Sequence, residues 1–231
     1  MSSLPVPRAP SVPPLIHGER LTRDEFERRY DAMPGVKKAE LIEGVVHMPS
    51  PVHWVGHGSP HASLIWFLVN YSLATPGTQV GDNATARMGT ASAPQPDGSM
   101  IILPSHGGRT RISEDDYLEG GPELATGASA SSAPLDLGEK FRLYQRTGVQ
   151  EYLVWRVPDG EVDWFALRRR RYQRLAPQPD GTIRSVVFPG LWLAVPALVA
   201  GDLAGVLATL QAGLASPEHA AFLAQLQAAR R

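Results

Sequence analysis

The chain has 231 residues, enough for one well-filled α/β domain with a helical extension and too few for two full-sized cores. Its 22 Lys and Arg against 23 Asp and Glu leave a formal net charge of -1, which excludes a global positive field, so any contact with nucleic acid falls to local patches. Cysteine is absent, which excludes disulfides, thiolate zinc sites and a cysteine nucleophile. No signal-peptide pattern opens the sequence, and its most apolar helical stretch, Ala62 to Leu73, is too short to span a bilayer; a soluble, cytoplasmic protein without a membrane partner is expected.

Residues 1–19 are expected to form a flexible tail, the stretch to about Pro14 being rich in Pro and Ser. Thr22 and Glu25 have capping-box spacing, and Phe26 with Tyr30 gives an i, i+4 apolar pair on a short helix ending near Pro34-Gly35. The segment ELIEGVVHM turns at Glu43-Gly44 and predicts a tight hairpin. A helix is predicted from the Ser59-Pro60 cap, with Leu64, Ile65, Leu68 and Val69 on its apolar stripe, ending before Pro76-Gly77. Candidate strands follow at Val80 to Met88 and Met100 to Leu103, which puts Asp97 at a strand start; Pro104 to Gly121 reads as a long loop without periodicity. Leu137 to Arg146 has helical character and stops at Thr147-Gly148, and Glu151 to Val157 is a strongly apolar strand. A hairpin pairs Val162 to Leu167 with Tyr172 to Leu175 across Arg168, Arg169, Arg170 and Arg171; Ser185 to Leu193 adds a strand. Two helices, Val195 to Leu214 and Pro217 to Ala229, finish the chain as an amphipathic cover for the core or as an oligomer surface, a homodimer included.

This order gives an α/β domain with no Gly-rich phosphate loop, no GxSxG elbow and no HExxH pair. The remaining chemistry lies in Glu40, Asp97 and Lys140 at strand and helix starts, with Glu123 and Asp136 near in sequence. Metal-assisted phosphodiester hydrolysis uses these residue types: carboxylates fix the ion, and a cation sits by the attacking water or the phosphate. Each also has a plainer reading, Asp97 as a post-proline turn residue, Glu40 as an exposed hairpin position and Lys140 as part of a solvated helix face. His53, His57 and His61 are four apart, but Gly56, Gly58 and Pro60 oppose a helix that would align them for a metal; His61 is placed at the edge of the cleft. The run Arg168 to Arg171 is either a phosphate-contacting patch or a solvated hairpin tip.

The strings ELIEG, QPD, PEL, ASSAPLDLGEKFRLYQRTGVQEYLVW and FPGLWL resemble the putative restriction endonuclease (Uma-type) family of the PD-(D/E)XK nuclease superfamily over roughly residues 20 to 220. The resemblance implies a restriction-endonuclease-like mixed central sheet flanked by helices over residues 20–195, with a C-terminal helical pair over 196–231. It also implies hydrolysis of DNA phosphodiesters with Mg²⁺ or Mn²⁺, Asp97 and Glu40 on the metal and Lys140 at the water or phosphate. Family members carry a glutamate where this sequence has Gly127, in the segment Pro122-Glu123-Leu124-Ala125-Thr126-Gly127. Glu123 shares that strand face but lies roughly 13 Å away along the strand, too far to replace it. Asp136, on the approach to the helix, is the nearer substitute, though a loop carboxylate is less preorganised. The small residues around Gly127 predict a weakened strand. The metal is therefore expected to be weakly held if at all, and cleavage weak or absent; the alternative is a catalytically inactive relative that binds nucleic acid or a protein.

Overall fold

The computed structural model describes residues 12–48, 52–129 and 133–230. Most of the expected tail lies outside the described residues. Leu15 is already buried with Phe26, and the Gly18 N–H donates to the Val46 carbonyl, so this part of the chain is laid against the first hairpin.

Helix α1 (Arg23–Asp31) starts where a side chain caps it: the Thr22 hydroxyl accepts the Glu25 N–H. The Glu25 carboxylate does not complete a capping box; it binds Arg28 and Arg29. Strands β1 (Glu40–Ile42) and β2 (Val45–His47) form the predicted hairpin, and Glu43 and Gly44 both take positive φ, the type I′ geometry that matches strand twist. The sequence reading starts the next helix at Ser59. The structure starts it a turn earlier: the His57 and Gly58 N–H groups close a wide π-helical turn (Trp54–Gly58) on the His53 carbonyl, which accommodates the glycines before α2 (Ser59–Leu73).

Strand β3 (Thr78–Asp82) is followed by the short β4 (Ala86–Arg87), then by β5 (Gly98–Ile102) directly after Asp97. The segment predicted as a loop carries two short strands, β6 (Arg111–Ile112) and β7 (Leu118–Glu119), which join β4 in a small three-stranded sheet. Two-residue strands are too short to show a period, so neither is visible in the residue pattern. Strand β8 (Leu124–Ser129) leads to a helical run of α3 (Ala133–Leu135), a second π-helical turn (Asp136–Lys140) and α4 (Phe141–Thr147), ended by Gly148 at φ 85°. The sheet resumes with β9 (Glu151–Arg156), β10 (Glu161–Arg168) and β11 (Arg171–Arg174).

Ser185 to Leu193 is not one strand. The Glu151 carboxylate accepts the Ser185 hydroxyl and the Val186 and Val187 N–H groups, which turns the backbone away from a ladder; β12 (Thr182–Arg184) and β13 (Trp192–Ala194) pair on either side. The predicted helix from Val195 to Leu214 is also divided. Gly201 at φ 76° ends α5 (Val195–Val199), and Asp202 caps α6 (Leu203–Leu214) by accepting the Gly205 N–H; α7 (Pro217–Ala228) follows its Ser216 cap.

The main sheet is mixed, in the order β11-β10-β9-β8-β5-β3, with β8 and β9 parallel and the other neighbours antiparallel. One face packs on α2 and the C-terminal helices, where Leu64, Phe67, Leu68, Leu124, Leu153, Leu198, Leu210 and Phe222 share a core. The other packs on α4 and β1, where Ile42, Leu143 and Tyr144 meet Ile101, Ala125, Tyr152 and Val154. Each such large apolar side chain contributes about 1.5–3 kcal/mol by leaving water. Despite its small side chains, β8 forms a full six-residue strand, all of it buried between β5 and β9. Among the described residues, no helix is long and apolar enough to cross a membrane.

Candidate active site

Strand pairing brings the site together. The register Gly98↔Thr126 sets Asp97 beside Gly127, on the sheet face that carries Ile101 and Ala125. From the neighbouring position, the Ala128 N–H donates to Asp97 Oδ2 at 2.9 Å. The other oxygen is held from the segment before β1: Lys38 Nζ donates to Asp97 Oδ1 at 2.8 Å and to Asn83 Oδ1 at 2.9 Å. Burial pushes the Asp97 carboxyl up, but the ammoniums of Lys38 and Lys140 and the Ala128 N–H outweigh it and hold the group below its ordinary value.

Glu40 comes from β1 and is almost wholly buried. Its Oε1 accepts the Gln95 N–H at 2.7 Å and Lys140 Nζ at 2.9 Å. Lys140 ends the π-helical turn before α4, with Asp136 on the same turn at 3.7 Å. Burial alone would favour a neutral lysine, but Glu40, with Asp136 and Asp97, keeps its ammonium charged and its pKa well above the usual lysine value. Three buried carboxylates, Glu40, Asp97 and Asp136, thus surround two ammoniums, Lys38 and Lys140.

At Gly127 an added Cβ would meet only ordinary contacts, Tyr152 Oη at 3.7 Å and Asp136 Oδ1 at 3.8 Å. A glutamate carboxylate lies about 3 Å beyond its own Cβ. The Asp136 carboxylate therefore lies within the radius that a glutamate side chain at 127 would sweep. Glu123 is elsewhere and otherwise engaged: it accepts the Ile102 and Arg109 N–H groups and fastens the loop after β5.

The histidines border this cluster. His57 Nδ1 lies 2.8 Å from the Ala128 carbonyl; His61 Nε2 lies 2.9 Å from the Asp97 carbonyl and 2.8 Å from Asp82 Oδ1. Among the described residues, no group of three or more His, Asp or Glu is arranged to hold a metal ion. A hard divalent ion needs several oxygens with lone pairs facing it at about 2.1 Å. Here both Asp97 oxygens, Glu40 Oε1 and the Asp97 and Ala128 carbonyls already face an ammonium, an N–H or an imidazole. The arrangement is chemically suited to a cation, but its cations are lysines, and it does not fit a divalent ion unless one of them moves.

Arg168, Arg169, Arg170 and Arg171 are not part of the cluster. They form the β10–β11 turn, with Arg169 and Arg170 at positive φ, beyond the Glu151 end of β9, and at least β9 lies between them and β8. Lys38 and the Ala128 N–H were not singled out from sequence. The lysine had a signal: residues 38 and 40 share a face where extended chain runs into β1, so a cation two before Glu40 points the same way.

Residues 23–196 match the family profile Uma2, described as a putative restriction endonuclease. Among solved structures, the chain resembles a putative nuclease of DUF820 from Anabaena variabilis ATCC 29413, with a TM-score of 0.59 and 14% identity over 78% of this chain and 98% of that one. At that identity the likeness is one of fold. No curated protein matches the sequence.

Proposed function

The chain belongs to the putative restriction endonuclease family, and from that premise we propose a nuclease-fold protein whose family reaction is metal-dependent hydrolysis of DNA phosphodiesters and whose own cleavage is weak or absent. The meeting of Glu40, Asp97 and Lys140 in one buried cluster supports this location for the site. Asp97 and Glu40 are the carboxylates on which Mg²⁺ or Mn²⁺ would depend, and Lys140 is the cation available to a phosphate or its attacking water. The observation that carries the impairment is Gly127: the strand position beside Asp97 offers no ligand, while both Asp97 oxygens and Glu40 Oε1 already face donors from the protein. An ion that must displace those donors is weakly held if at all.

The same saturation favours one second reading, a relative without catalysis that binds nucleic acid or a protein through this face. His61 at its edge is the candidate phosphate contact of this face, and the exposed Arg169 and Arg170 turn, which lies apart from the cluster, is a separate one. Salt-dependent DNA binding without cleavage is its signature.

The test is plasmid cleavage with Mg²⁺ or Mn²⁺ by the natural chain, by Gly127→Glu and by Gly127→Glu/Asp136→Asn, each with and without Asp97→Ala. Cleavage should be gained with the glutamate, most fully once Asp136 no longer opposes it, and lost with Asp97. Robust cleavage by the natural chain that survives Asp97→Ala would remove the site from this cluster.

A further inference from the structure

We infer that the Lys38 ammonium is a built-in cation at Asp97: it holds the position from which a divalent ion would neutralise that carboxylate, and with Gly127 unchanged such an ion binds well only when Lys38 is removed. The inference rests on reading the cluster as nuclease-derived.

The geometry is that of a small cation in an oxygen bed. Nζ lies 2.8 Å from Asp97 Oδ1 and 2.9 Å from Asn83 Oδ1, oxygens brought from the residue just before β5 and the residue just after β3. This is no loose surface pair, since the two side chains are only 21% and 11% exposed. In such surroundings the attraction is far less screened than in water, and losing one partner leaves a charge uncompensated. Lys38 is also tethered two residues from Glu40, so it competes with a free ion at the high effective concentration of an intramolecular group.

Charge balance sets what would replace it. With both lysines present, the three carboxylates leave a single negative charge in excess, and a divalent ion would overshoot it. Without Lys38 the excess is two negative charges, which one divalent ion matches. Lys140 cannot take over, because its Nζ is bound 2.9 Å from Glu40 and is itself buried. The Asn83 oxygen, relieved of Lys38, becomes a neutral ligand of the kind hard ions accept.

The experiment uses the full chain and Mn²⁺ alone. Free Mn²⁺ is counted by electron paramagnetic resonance, and thermal melting is followed with and without the ion, for the natural protein, Lys38→Met, Lys38→Arg and Lys38→Met/Asp97→Asn. Lys38→Met should bind Mn²⁺ at least about tenfold more tightly than the natural chain and melt higher when it is added. Lys38→Arg, which keeps the charge, should behave as the natural chain, and Asp97→Asn should cancel the gain. Should Lys38→Met not fold, Lys38→Gln, which retains a hydrogen bond to Asp97, carries the same comparison. A folded Lys38 variant with no gain in Mn²⁺ affinity overturns the inference, as does tight, Asp97-dependent binding by the natural protein. Neither result touches the family reading, whose own failure shows only in the cleavage assay.

Discussion

The Asp136 carboxylate stands 3.8 Å from the point that a Cβ on Gly127 would occupy. A negative charge is therefore present beside Gly127, but it arrives from the helical turn, 3.7 Å from Lys140, instead of from the strand beside Asp97. Gly127 has room for a methyl group, and an interior strand glycine is about 0.5–1 kcal/mol less favourable than alanine. Gly127→Ala should stabilise the protein by that amount in urea unfolding. Gly127→Glu should cost about 2 kcal/mol or more, because its carboxylate meets that of Asp136, and Asp136→Asn should recover most of the loss. Destabilisation by the alanine would mean that the space beside Asp136 is less open than these contacts indicate.

Glu40 and Lys140 form a pair in which both side chains are buried. Removing Lys140 leaves the buried Glu40 charge without its partner, at a cost of about 3–5 kcal/mol, and removing Glu40 leaves Lys140 only the longer contact to Asp136. Lys140→Met and Glu40→Gln should each destabilise strongly, and the double variant should lose much less than their sum. Additive losses in a double-mutant cycle would show that the two residues do not act as a pair.

The sequence carries much of this fold because many of its decisions are local. The Glu43-Gly44 turn, the Thr22 and Ser216 caps and the Thr147-Gly148 stop each use residues a few positions apart, and each occurs in the structure. Glu40, Asp97 and Lys140 were legible through their family resemblance, and only pairing across the sheet brings them together. Features set at a distance were not legible. Lys38 meets Asp97 across 59 positions, and Glu151 bends the chain at Ser185 across 34. The π-helical turns widen the backbone at Gly58 and Gly138, where a 3.6-residue period gives no warning.

Acid should expose the Asp97 contacts. Its carboxyl is held below the ordinary value in the folded protein, so the folded state binds fewer protons there than the unfolded chain as pH falls. The stabilisation is complete above the unfolded value of about 3.9 and is lost as pH drops through the lower folded value. Asp97→Asn should flatten the stability profile on that acid side. An unchanged acid slope would mean that Lys38 and Ala128 do not hold the ionised form.

The saturated cluster is tested most directly by one measurement, the nicking of supercoiled plasmid by the natural chain in Mg²⁺, set beside Asp97→Ala at the same concentration. Both rates should lie close to the metal-only background and differ little from each other. Sustained Mg²⁺-dependent nicking that Asp97→Ala abolishes would contradict it, by showing that a divalent ion enters the cluster despite Lys38 and without a ligand from position 127.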